Sequence, residues 1–145
     1  MSQLKFYYQN VSEFADIPAN AMFKKWAQAA LRVESEVTIR IVDEHEARAL
    51  NSQYRGKDYA TNVLTFALTE EPYLMGDIII CGPVVASEAR AQNKDLMAHF
   101  AHLTVHGMLH LSGYDHETEP QAELMEALEV QILAKLGYAN PYLVT

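Results

Sequence analysis

Between His106 and His116 the chain reads HGMLHLSGYDH, with histidines at 106, 110 and 116 and a glycine at 113. Residues four apart on a helix differ by ~40° about its axis, so His106 and His110 leave one face a single turn apart. Two imidazoles placed this way reach a common ion. His102 lies one turn earlier on the same face, but eight residues separate it from His110, ~12 Å along the axis. Nitrogens bound to one zinc at ~2.0–2.1 Å are at most ~4 Å apart. The third ligand therefore comes from beyond the helix. Gly113 accepts the left-handed conformation that ends a helix, and the chain after it folds back with His116. The expected metal ligands are His106, His110 and His116, at the end of a helix running from about Lys94 to Leu111. The plainer reading, histidines spaced by accident, does not account for the glycine at the turn.

Three imidazoles leave one tetrahedral position open, as in catalytic zinc sites, and water held there has a pKa near ~7. The donor set suits one Zn2+, with nickel, copper or cobalt also compatible. Asp115, beside His116, is a candidate for orienting a ligand or handling protons, and equally a turn aspartate. His99 and His102 read as structural or as hydrogen-bonding supports, and His45 as a helix-surface residue.

The elements around this motif alternate in type. LKFYYQ near the start reads as a strand, and Asn20 to Arg32 places Met22, Trp26, Ala29 and Ala30 at helical spacing. EVTIRIVD alternates as a half-buried strand, with Val37, Ile39 and Ile41 on one side. Asp43 and Glu46 form a capping pair for a helix running to about Gln53. RGKDYATN is a polar loop. VLTFAL and GDIIIC are strands parted by the turn-like TEEPYLM, and Pro83 opens a further helix. The last helix runs from about Glu119 to Leu136 and stops at Gly137. Its expected apolar stripe is Leu124, Met125, Leu128, Ile132, Leu133 and Leu136, with Glu119, Glu123, Glu126 and Glu129 facing water. These elements predict an α+β fold: one domain over residues 1–145, a mixed four-stranded sheet covered by about five helices, with the metal site at the end of a helix.

Composition narrows the functional classes. The 145 residues carry a net charge of −8, which argues against coating nucleic acid by bulk electrostatics. No stretch approaches the ~18 unbroken apolar residues of a membrane span, and MSQLKFYYQN has no signal-peptide pattern. Cys81 is the single cysteine, so an intramolecular disulfide and a thiolate-rich zinc site are excluded, and a reducing cytoplasm is the expected location. It sits in the apolar run DIIIC and reads as a buried small hydrophobe.

The histidine spacing is also that of the zinc-protease signature HExxHxxGxxH, but Gly107 stands where those proteases carry their general base. Zinc lowers the pKa of its water without that base, so the substitution weakens the case for peptide hydrolysis and leaves the metal site intact. HGMLHLSGYDH, together with NSQYRGKDYATNVLTFAL and MGDIII upstream, closely resembles the YbeY family of bacterial endoribonucleases, also called rRNA maturation factors. The resemblance spans about Asn51 to His116. The chain departs from the family pattern at Asn62, where many members have aspartate, at Thr65, where serine is usual, and at Ala67, where proline often follows the phenylalanine. All three positions lie outside the ligand set.

The resemblance implies a metal-dependent, zinc-using enzyme that cleaves single-stranded RNA. It further implies action in small-subunit ribosomal RNA maturation at the 3′ end of 16S rRNA and in ribosome quality control. It assigns His106, His110 and His116 as the metal ligands and matches Arg55 to the family's functionally important arginine. The residues fit in part. Arg55 and Lys57, with Arg48 two turns back, offer cations to phosphate, against the plainer reading of a solvated basic loop. Tyr54, Tyr59 and Tyr114 are candidates to stack on unpaired bases or simply to pack. The acidic total implies weak binding to free RNA and help from a ribosome or ribosomal protein, with no membrane partner. Two other readings stay open: a zinc metalloprotease-like hydrolase, and a non-catalytic ribosome-assembly factor with a structural metal.

Overall fold

In a computed structural model, residues 3–69 and 74–143 are described. Alternating residues of four segments build the sheet: β1 (Leu4–Asn10), β2 (Ser35–Val42), β3 (Val63–Thr69) and β4 (Leu74–Cys81). Their spatial order is β1-β2-β4-β3. β1, β2 and β4 run parallel, with Phe6 opposite Val37 and Val37 opposite Gly76, while β3 pairs antiparallel with β4. β4 starts two residues before the expected GDIIIC. Of the turn expected at TEEPYLM, residues 70–73 lie outside the described residues.

The helices are α1 (Asn20–Ala29), α2 (Glu44–Arg55), α3 (Gly82–Ala91), α4 (Leu96–Leu111) and α5 (Glu119–Lys135). The period of two along the strands divides the core. Val37, Ile39, Ile41, Ile78 and Ile80 point to one side, where Phe23 and Trp26 of α1, Phe100, Met108 and Leu109 of α4, and Met125 and Leu133 of α5 cover them. Val42, Leu64, Ile79 and Cys81 point to the other, where Ala47 and Leu50 of α2 form a smaller cluster. Cys81 is buried and unbridged, as its apolar surroundings imply. Among the described residues no helix is long and apolar enough to cross a membrane.

Two expectations are corrected. Asp43 occupies the N-cap of α2, but its side chain caps nothing. It accepts from the Glu13 backbone amide at 3.0 Å, and Glu46 is engaged by Arg40 at 2.8 Å. The second correction concerns α5. Glu129 is fully buried, whereas Leu124 is 55% exposed. The helix turns its Met125, Glu129, Ile132 and Leu133 edge inward.

Candidate metal centre

α4 is the central helix of the larger layer, and its packing decides what the histidine motif can do. Asp95 caps its first turn by accepting from the Ala98 amide at 3.0 Å. Gly107 faces the sheet: a β-carbon there would stand 3.1 Å from Ile78 Cγ2. The position that carries the base in zinc proteases is therefore directed here into packed core, away from the site. The helix ends in a paired bend, with Gly113 donating to His110 O and Tyr114 to Leu109 O, both at 3.1 Å. Gly113 takes φ +101°, a conformation that favours glycine.

That bend returns His116 to the helix. The ring centroids of His106 and His116 are 5.5 Å apart, those of His110 and His116 are 6.0 Å, and those of His106 and His110 are 6.3 Å. His106 and His110 are part-buried and His116 is exposed. The triangle is open. Among the described residues, no three His, Cys, Asp or Glu side chains stand in ready-made ligand geometry. With nitrogens at ~2.0–2.1 Å, centroids of two imidazoles on one zinc lie roughly 5 Å apart, so the rings are near that spacing without having reached it.

The hydrogen bonds give an independent test of fit. His110 Nδ1 lies 3.1 Å from the Tyr114 carbonyl oxygen, which only accepts, so the ring's proton sits on Nδ1. His106 Nδ1 lies 2.6 Å from Glu129 Oε2. Burial disfavours charge on Glu129, but hydrogen bonds from His102, His106 and Tyr142 outweigh it and hold the carboxyl at about 2. An ionised carboxylate also only accepts, and His106 likewise donates through Nδ1. A neutral imidazole with its proton so placed has Nε2 as its unprotonated nitrogen. Two imidazoles with Nδ1 anchored and Nε2 free are the arrangement that metal-ligating histidines use, so this donor set fits a transition-metal ion.

Asp115 Oδ1 accepts from the His116 backbone amide at 2.7 Å, which holds the peptide from which His116 springs. Arg55 does not join the triangle. It is the last residue of α2 rather than part of the following loop, it is exposed, and among the described residues it has no ion pair or hydrogen bond from its side chain. Lys57 is equally exposed, whereas Arg48 is paired with Asp58 at 2.8 Å. Tyr54 and Tyr59 are exposed, Tyr54 packing edge-on against Phe66, and Tyr114 is packed against the core.

The sequence reading missed the residues behind the site. Glu129 also receives His102 Nε2 at 3.1 Å and the Tyr142 hydroxyl. Lower on α4, His99 Nε2 lies 2.9 Å from Glu88 Oε1, and Asn62 Nδ2 donates to the same carboxylate at 3.0 Å. Aspartate at position 62 would set one carboxylate against another. A cavity of about 810 Å³ opens beside Tyr142, walled in part by His99, His102, Leu133 and Tyr138; none of the three site histidines lines it.

Comparison with known proteins bears on the same residues. The family model described as Endoribonuclease YbeY matches residues 7–137. A protein named Endoribonuclease YbeY from Methylobacillus flagellatus is 61% identical over 142 residues, covering 98% of this chain and 95% of the relative. One of the same name from Nitrosomonas europaea is 50% identical over 142 residues, covering 98% and 87%. Among solved structures, the solution structure of a Thermotoga maritima protein superposes with a TM-score of 0.59 at 25% identity, covering 95% of this chain and 99% of that one.

Proposed function

The chain belongs to the YbeY endoribonuclease family, and from that premise we propose that it is a metal-dependent endoribonuclease cleaving single-stranded RNA in small-subunit ribosomal RNA maturation. The observation that carries the metal-dependent part is the convergence of His106, His110 and His116 with Nδ1 of the first two already engaged. The substrate proposed is precursor RNA at the 3′ end of 16S rRNA, with a further part in ribosome quality control and a cytoplasmic location. The 16S and quality-control points rest on the family resemblance, and the location rests on the single cysteine, Cys81.

Held by His106, His110 and His116, a Zn2+ ion would supply Lewis acidity to a phosphodiester and would lower the pKa of bound water. The chain's own residues do the rest. His106 and His110 present Nε2. Asp115 fixes the His116 amide and is a candidate proton carrier through its other oxygen. Arg55, exposed and without a side-chain hydrogen bond or ion pair among the described residues, is available as a planar cation for phosphate oxygens and the charge that builds on them. Tyr54 and Tyr59 offer exposed rings for unpaired bases. With a net charge of −8, tight binding to free RNA is not expected, and a ribosomal partner supplies the affinity.

The test compares wild type with His110→Ala and Arg55→Ala for zinc content, melting and cleavage of single-stranded RNA. The reading requires cleavage by zinc-loaded wild type and its loss in His110→Ala. Cleavage that persists in a metal-free His110→Ala protein would refute it. A 2′,3′-cyclic phosphate on the product assigns attack to the ribose hydroxyl, and a 3′-hydroxyl paired with a 5′-phosphate assigns attack to water.

A further inference from the structure

Glu129 is a charged group with no solvent contact, and such burial is costly unless every lone pair is engaged. Its two oxygens are used differently. Among the described residues, Oε1 receives His102 Nε2 and the Tyr142 hydroxyl, while Oε2 receives only His106 Nδ1, at 2.6 Å. The contact to His106 crosses from α5 to α4, so the orientation of that ring is set by the packing of two long helices rather than by a loop. A role confined to joining the helices would not need one oxygen reserved for a partly exposed ring at the edge of the site.

We propose that Glu129 is the positioning residue for His106: it holds the proton on Nδ1 and thereby presents an unprotonated Nε2 to the metal. This rests on reading the three histidines as a metal site. His102 and Tyr142 satisfy the second oxygen and keep the carboxylate in place. Glutamine at this position has one acceptor and one donor where three donors converge. If its amide nitrogen faces His106, the ring must carry its proton on Nε2, the wrong nitrogen for binding. If it faces the other way, His102 and Tyr142 lose their acceptor and the side chain its anchor.

The experiment uses the full chain, 15N-labelled and metal-free at alkaline pH, to read the His106 tautomer by NMR, followed by zinc titration against a competing chelator. Wild type is expected as the Nδ1–H tautomer. Glu129→Gln is expected to populate the other tautomer and to bind zinc ~10–100-fold more weakly. Tyr142→Phe, which disturbs only the Oε1 side, is the control: it lowers the melting temperature but leaves the tautomer. Wild-type His106 found protonated on Nε2 would overturn the proposal whatever the variants do. So would a folded Glu129→Gln protein with wild-type zinc affinity, and that result leaves the metal site standing. Wild type that binds no zinc, with a His106 tautomer that still depends on Glu129, would instead sink the metal reading and leave the orientation of His106 by Glu129 intact.

Discussion

Gly107 lies against Ile78: a β-carbon on the glycine would stand 3.1 Å from Ile78 Cγ2 and 3.2 Å from Cδ1. The helix that carries His106 and His110 therefore seats on the sheet through the one position at which zinc proteases of the same spacing need a glutamate. Gly107→Glu would have to force a carboxylate into this contact. Overpacking costs about 1–3 kcal/mol and burial of an unpaired charge adds to it. The expected outcome is a loss of at least about 3 kcal/mol by urea unfolding, with no peptidase activity gained. A variant as stable as wild type would show that α4 can lift from β4.

Removal of His116 separates metal binding from folding. Its ring is exposed, and among the described residues its side chain makes no hydrogen bond. His116→Ala should melt within about 1–2 °C of metal-free wild type, since surface changes of this kind cost under ~0.5 kcal/mol. Zinc at a hundred times its dissociation constant should stabilise wild type by about 2.7 kcal/mol, and the variant should lose most of that gain. Calorimetry with and without zinc measures both. A large loss of metal-free stability in His116→Ala would mean that the bend after Gly113 depends on the ring itself.

Much of this site is local in origin, and so it was legible in the sequence. The turn spacing of His106 and His110, and a left-handed glycine at 113, follow from backbone geometry that eleven residues determine alone. The strand alternation in EVTIRIVD likewise gave the correct buried side. Glu129 was misread because charge was allowed to decide its face. Its spacing from Met125, Ile132 and Leu133 places it in the apolar stripe, and a carboxylate in a stripe is itself the signal of a buried partner. The identity of that partner was not legible. His106 and Tyr142 reach Glu129 from 23 and 13 residues away, one across a helix contact and the other from the segment after α5, through tertiary packing that no local pattern encodes.

His99 gives the stability a pH dependence. Burial lowers its pKa from the usual 6.5, although Glu88 opposes the shift and His102 and Lys94 add to it. The folded protein therefore resists a proton that the unfolded chain accepts. The contribution is fully present above pH 6.5 and is lost as pH falls from there toward the folded value. Urea unfolding at decreasing pH should show stability falling below 6.5. The fall should be shallower in His99→Gln, which still reaches Glu88 as a donor and does not titrate. Equal slopes in the two proteins would assign the effect to other groups.

Arg55 separates chemistry from architecture. It ends α2, and among the described residues it contacts no carboxylate and no site histidine, so Arg55→Ala should fold, melt and bind zinc as wild type does. If its guanidinium steadies charge on the reacting phosphate, the loss falls on catalysis, about 10²-fold or more in kcat by analogy with removal of a single anion-stabilising donor. Arg55→Lys should recover only part of this, because an ammonium restores charge without the planar fork. Single-turnover cleavage of a short RNA at saturating enzyme measures that step apart from binding. A defect that vanishes at saturation would make Arg55 a contact for RNA binding alone, and full activity in Arg55→Ala would remove it from the mechanism.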